Sequence, residues 1–189
     1  MNYGCGCLTD GSVLYPFCPI HGEPISGLDK LKLRGWFGFL IFDADGSFLR
    51  LERINNTVTT PGITDLLTVA FAAGTQKTTW YFGLIDNAGF SSIAATDTAA
   101  SHSGWSESTA YTEATRQAWS PTVSNAVASN ATPATFTASG AVTLKGAFII
   151  SNSTKGGTSG QLWAAGAFAS TQALTSGQTV KTSYSLTGS

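Results

Sequence analysis

The sequence is short of charged residues. Only 11% of its 189 residues are Asp, Glu, Lys or Arg, against about 25% in a typical soluble domain. Ten basic residues nearly balance eleven acidic ones, and no basic stripe is present, which argues against direct nucleic-acid binding. No apolar run approaches the roughly 18 residues that a membrane-spanning helix needs. We therefore expect neither nucleic acid nor a membrane as a partner.

The first residues of the sequence do not resemble a secretory leader. Residues 1–5, MNYGC, contain neither the basic segment nor the apolar segment of a signal peptide. We expect the chain to be made and assembled in a reducing cytosol, where disulfides are rare.

What the sequence does contain favours β-structure. Apolar residues make up 42% of the chain and aromatic residues 11%, enough for a substantial core. Thr suits a pleated surface, whereas Gly and Asn suit turns. We predict a mainly β fold: a β-sandwich or jelly-roll-like body with one short helix, a β-hairpin and a small N-terminal zinc-knuckle-like arm. Strands are predicted at residues 31–42, 47–53, 78–85, 134–138, 142–151, 160–169 and 178–186.

The hairpin and the helix carry local signals. Asp45-Gly46 between two apolar stretches is a typical hairpin turn. In the second arm, Phe48 with Leu49 and Leu51 is expected to pack, while the charged residues face water. The helix is expected to have Thr60 as its N-cap and to lie across a sheet. Its apolar face is predicted from the helical spacing of Ile63, Leu66, Leu67, Ala70 and Phe71.

Composition shifts divide the chain into three predicted segments. Residues 1–27 form a Cys/His arm, residues 28–56 a β-hairpin that serves for attachment, and residues 57–189 the β-sandwich body. Trp105, Tyr111 and Trp119 are predicted to anchor a long connection to the core of that body.

All three cysteines lie in the first segment. Cys5, Cys7, Cys18 and His21 have the spacing C-x-C-x10-C-x-x-H, which is the donor set of a closed structural zinc site. Zinc is the favoured interpretation, although Cys-x-Cys is tighter than the usual zinc knuckle. A disulfide or free thiols, and redox or catalytic chemistry, remain as alternatives. Four protein ligands leave no open position, so the predicted zinc is structural.

No catalytic constellation stands out in the sequence. His102 lies in a Ser/Ala-rich stretch with no carboxylate close to it, and no Gly-x-Ser-x-Gly motif is present. Glu107 and Glu113 are a candidate glycosidase pair, but solvated side chains are the favoured interpretation. Two roles are considered for four tryptophans, a sugar-stacking platform and core packing, and core packing is favoured. They are Trp80, Trp105, Trp119 and Trp163. We expect no catalytic residues, no cofactor besides zinc, and no enzymatic activity.

Four stretches in the last two-thirds of the chain resemble a family of small structural proteins of tailed bacteriophages. They are NTVTTPG (56–62), GTQKTTWYFGLI (74–85), YTEATRQ (111–117) and GAFIISNSTKGGTSGQLW (146–163). The resemblance implies a β-sandwich or jelly-roll module of the virion, of the capsid decoration (cement), head-fibre or neck/tail accessory type. It supplies no catalytic residues, and the Cys/His arm lies outside it.

The expected function is therefore that of a non-enzymatic virion protein assembled in the bacterial cytoplasm. Capsid decoration, with docking on the major capsid protein, is the leading hypothesis, and other virion proteins are alternative partners. A homo-oligomer is expected, with a trimer favoured. The alternative is a neck, tail or fibre component that contacts the host surface and binds glycan.

Overall fold

A computed structural model describes residues 32–189, which form one compact unit. This part of the chain is mainly β, as predicted. Its strands are β1 (Leu33–Phe42), β2 (Phe48–Asn55), β3 (Thr57–Val58), β4 (Trp80–Asp86), β5 (Glu107–Ser108), β6 (Gln117–Trp119), β7 (Thr122–Ser124), β8 (Val127–Ser129), β9 (Ala134–Thr137), β10 (Val142–Ile150), β11 (Leu162–Leu174) and β12 (Thr179–Gly188). One helix, α1 (Thr60–Phe71), is present among the described residues.

The strands form two antiparallel sheets. Sheet I has the order β2-β1-β12-β8-β7, with β9 also pairing with β12. Sheet II has the order β3-β11-β10-β4-β5, with β6 also pairing with β4. Most neighbouring strands in each sheet are distant in sequence, and β1 pairs with β12 over ten residue pairs. The β1–β2 hairpin thus belongs to the same compact unit as the strands that follow it.

The two sheets enclose a shared aromatic core, the arrangement of a β-sandwich. Phe37 on β1 contacts Phe82 on β4 with ring centroids 6.4 Å apart, and Phe39 contacts Phe168 on β11 at 4.6 Å. These side chains alternate along their strands with outward ones, as the two-residue period of a strand requires. The largest fully buried residues of this core also include Tyr184, Phe136, Ile41, Leu144 and Ile149.

Sheet II is buried on its outer face as well. The connection between β4 and β5 crosses that face and places Trp105, Ala99, Phe90 and Ile93 against it. Trp105 donates from Nε1 to Oδ2 of Asp97 at 2.8 Å, and the same oxygen accepts from the backbone of Ala94. The connection is thereby tied to itself as well as to the sheet. The prediction that Trp105, Tyr111 and Trp119 are core anchors of the long irregular stretch after β4 is confirmed, because all three are at most 7% exposed.

Helix α1 begins one residue earlier than predicted. Thr59, not Thr60, is its N-cap: the Thr59 hydroxyl accepts from the backbone N–H of Gly62 at 3.0 Å and donates to the carbonyl of Leu162 at 2.8 Å. Thr59 is fully buried, so the cap also fixes the helix to β11. The helix contacts β11, but only part of its predicted apolar face packs against the core. Leu66 packs against the core, whereas Leu67 and Phe71 point to solvent.

The prediction that the apolar residues of the second hairpin arm pack against the core is also wrong. Asp45-Gly46 does form the turn, with Gly46 at a φ of 86°. Phe48, Leu49 and Leu51, however, are 40–64% exposed. Because β2 ends sheet I on one side, its outward side chains have no neighbouring strand beyond them.

Candidate functional site

The outer face of sheet I exposes an apolar surface. Trp36, Leu40 and Phe42 are the outward apolar residues of β1, and their register partners on β2 are Asn55, Leu51 and Phe48. Phe48 is 56% exposed and Leu51 is 64% exposed. Soluble monomers rarely expose contiguous apolar surface of this kind unless it binds something. We call Trp36, Leu40, Phe42, Phe48 and Leu51, with the cations described next, the docking face.

Cationic side chains lie directly over the aromatic rings of this face. The Arg53 guanidinium is 4.1 Å from the Trp36 ring centroid, and the Lys181 ammonium is 4.7 Å from that of Phe42. Both distances are within the range of a cation–π contact. Gly38 makes the first contact possible, since a Cβ there would lie 2.9 Å from Cζ3 of Trp36.

The docking face is cationic as well as apolar. Arg34 occupies another outward position of β1, and Glu52 pairs with Phe39 on the opposite, core-facing side. The outward strand positions of sheet I contain Arg34, Arg53 and Lys181 and, among the described residues, neither Asp nor Glu. A partner surface with carboxylates around an apolar centre complements this face.

A second feature is a cavity of about 230 Å³ beside the outer face of sheet II. Its apolar wall is made by Trp105, Phe148, Ile150 and Leu162, and its polar rim by His102, Ser106, Glu107, Arg116 and the backbone of 156–158. The His102 ring stacks on Trp105, with centroids 4.0 Å apart and planes 20° apart. His102 Nδ1 lies 2.9 Å from the Trp105 carbonyl oxygen, so it is the donor in that bond.

The polar end of the cavity is a buried ion pair. Arg116 donates from Nε and Nη2 to both carboxylate oxygens of Glu107, at 2.9 and 2.7 Å. Its remaining bonds go to the carbonyls of Asn152 and Gly157, and the N–H of Gly156 donates to Glu107. The pair therefore holds the 152–157 loop against β5.

No protein-family model matches the chain, and no curated protein matches it either. The function must therefore be inferred from the surfaces and sites of the molecule itself.

The candidate catalytic side chains have structural partners. Glu107 is neutralised by Arg116, as described above. Both carboxylate oxygens of Glu113 accept from the backbone N–H of Thr137, at 3.1 and 3.0 Å. The tryptophans mostly follow the core interpretation, since Trp105, Trp119 and Trp163 are at most 7% exposed and Trp80 is half-buried.

The predicted zinc ligands Cys5, Cys7, Cys18 and His21 lie outside the described residues. Within residues 32–189, no group of three or more His, Cys, Asp or Glu side chains is placed to hold a metal ion. In that same range, no helix is long and apolar enough to cross a membrane.

Sequence reasoning missed the docking face and the Arg116–Glu107 pair. A signal for the face was present in the alternating pattern of Trp36, Leu40 and Phe42, but alternation alone does not say which side of a sheet is covered. Arg116 and Glu107 are nine residues apart in an irregular region, so no helical or strand period connects them.

Proposed function

We propose that this chain is a non-enzymatic structural protein of a tailed-bacteriophage virion. Capsid decoration, with docking on the major capsid protein, is the form of this function that we favour. The family resemblance of residues 56–163 motivates the proposal. The observation that carries it in the structure is the unequal cover of the two sheets: the chain's own β4–β5 connection covers sheet II, whereas residues 32–189 leave the docking face of sheet I open.

The charge of the docking face defines the kind of surface it binds. Arg53 and Lys181 lie beside Phe42 and the exposed Leu51, and Arg34 lies further along the same face of β1, so the partner presents carboxylates next to an apolar patch. The apolar residues supply most of the affinity, because ion pairs at a solvent-exposed rim contribute only about 0–1 kcal/mol each. The cations supply orientation and reject basic surfaces.

The remaining parts of the proposal follow from the sequence. The protein assembles in the bacterial cytoplasm, and residues 1–27 bind one structural zinc through Cys5, Cys7, Cys18 and His21. A zinc site orders a short segment without requiring an oxidised disulfide.

Virions made without the gene test the role directly. Such particles should lose resistance to heat or to chelator, and purified protein added back should restore it. Particles that keep full resistance without the protein exclude the cement role.

Add-back of face variants tests the docking surface. Leu51→Asp should weaken binding to the depleted particles, because it places a carboxylate in the apolar centre and opposite an acidic partner. Val123→Asp is the matched control, because Val123 is 76% exposed and lies on β7, away from β1 and β2. Equal binding by the two variants contradicts docking through this face.

A neck, tail or fibre component that binds glycan is the second candidate. The cavity beside His102 and Trp105 favours this candidate, because it has an aromatic wall and a polar rim. The charges of Glu107 and Arg116 in that rim cancel each other. Copy number separates the two candidates: hundreds of copies per particle indicate decoration, and a dozen or fewer indicate a vertex, neck or tail part.

A further inference from the structure

Helix α1 exposes an apolar ridge that packs against no other part of the described chain. Ile63, Leu67 and Phe71 follow each other at intervals of four residues, so they lie along one side of the helix. They are 37%, 44% and 85% exposed. Leu66, on the neighbouring side, is the residue that contacts the core.

The polar groups beside this ridge are already satisfied within the helix. The Thr64 hydroxyl donates to the carbonyl of Thr60 at 3.0 Å, and the Thr68 hydroxyl donates to that of Thr64 at 2.7 Å. The exposed threonines therefore need no hydrogen-bond partner from outside. They widen the ridge into a surface that can be dehydrated at little cost.

Charge distinguishes this surface from the docking face. Asp65 is the one charged residue of α1, and its carboxylate is held by Lys77 at 2.6 Å. The ridge of Ile63, Leu67 and Phe71 is thus uncharged, and two copies of it can approach without repulsion. Two docking faces cannot, because each carries Arg34, Arg53 and Lys181.

We propose that α1 is the self-association surface of this protein, with the ridge of one copy packed against the ridge of a second copy. A symmetric contact requires a surface that is complementary to itself, and a neutral ridge meets that condition. Rows of residues four apart fit between the same rows of an identical helix, which is the commonest form of helix packing. Phe71 is the anchor, since it has the most apolar surface to bury.

Mass measurement in solution tests this inference. The 189-residue chain has a mass of 19.6 kDa, and light scattering or sedimentation should give twice that value, falling on dilution. Phe71→Glu and Leu67→Glu should each weaken self-association about tenfold to a hundredfold, because a buried apolar side chain is replaced by a charge that faces its own copy.

Two variants elsewhere make the result specific to α1. Leu51→Glu, on the docking face, and Val123→Glu, on β7, also replace exposed apolar residues and should leave the mass unchanged. Circular dichroism should show all four variants folded, since none of these side chains is buried.

A monomer at every accessible concentration overturns the inference, and so does a Phe71→Glu variant that keeps the wild-type mass. Dissociation by Leu51→Glu assigns the contact to the docking face instead. The test of self-association is independent of the test of the virion proposal. The effect of Phe71→Glu is measured as a change in mass, whereas the effect of Leu51→Asp is measured as binding to particles.

Discussion

At the scale of single residues, Arg116 is the most deeply buried charged residue of the described chain, at 3% exposure. Taking a charge out of water is costly unless a partner and hydrogen bonds compensate for it. Arg116 has both: the Glu107 carboxylate and two backbone carbonyls. The pair also connects β5 to the loop between β10 and β11, so its loss should affect the fold as well as the cavity.

Replacing Glu107 by Gln should destabilise the protein strongly. The substitution keeps the size of the side chain but leaves the Arg116 charge buried without compensation. We expect the free energy of unfolding to fall by about 3–5 kcal/mol, measured by urea denaturation. The control is Asp65→Asn, which breaks the more exposed pair with Lys77 and should cost at most about 1 kcal/mol. Similar losses for the two variants contradict a structural role for the buried pair.

Tyr184 should make the protein sensitive to high pH. Its hydroxyl accepts from Asn56 Nδ2 at 2.9 Å and from Trp163 Nε1 at 3.2 Å, and burial raises its pKa well above the usual value. The unfolded tyrosine loses its proton near pH 10, whereas the folded one retains it. Above about pH 10 the unfolded state therefore binds fewer protons, and stability falls as the pH rises. Below that pH this contribution is fully present.

Denaturation curves at about pH 9 and pH 11 check this expectation. The Tyr184→Phe variant should be less stable at neutral pH, by about 1–3 kcal/mol, because two buried donors lose their acceptor. The fall in its folding stability between these two pH values should also be smaller than that of the wild type. The remaining decline is expected from Tyr111, whose pKa is raised by burial and by the nearby Glu107 charge. An alkaline decline as steep as that of the wild type contradicts the role of Tyr184.

At the scale of elements, the long strands were predictable and the short ones were not. β1, β4, β10 and β12 are each marked by a run of β-branched, aromatic or small apolar residues between turn signals. The two- to three-residue strands β3, β5, β6 and β8 form against a long strand, and β7 forms against β8, which local sequence does not reveal. The exposure of Phe48, Leu51 and Phe71 was not predictable either. The spacing of apolar residues predicts that a strand or helix has an apolar side, but not whether another element covers that side.

Close contact between β10 and β11 depends on the glycine at position 146. A Cβ on Gly146 would lie only 1.9 Å from the carbonyl oxygen of Gly166, which is backbone and cannot rotate away. Gly146→Ala should therefore shift the strands and cost about 1–3 kcal/mol or more, seen as a lower midpoint of thermal unfolding. Gly140→Ala is the control, because no atom lies within 4 Å of a Cβ there. An unchanged midpoint in Gly146→Ala contradicts the tight packing at this position.

At the scale of the whole molecule, residues 32–189 close on themselves. The N–H of Lys32 donates to the carbonyl of Ser189 at 2.7 Å, and the N–H of Ser189 donates back at 3.0 Å. Phe37 and Ile41, near the start of this unit, pack in the same core as Val180 and Tyr184 near its end. A fragment beginning at Lys32 retains every strand of both sheets and all of this core.

This division makes the zinc proposal separable from the fold. The full chain should contain about one zinc per molecule by elemental analysis, and Cys18→Ser should release it, because all four proposed ligands lie in residues 1–27. The 32–189 fragment should contain none and should unfold at the same temperature with or without chelator, since no metal-ligand group exists within it. Zinc retained by the fragment would place the site in the β-sandwich, and a zinc-free full chain would leave the thiols to a disulfide or to redox chemistry. Only zinc that is present in the full chain and lost with residues 1–31 is consistent with a structural site in the N-terminal segment.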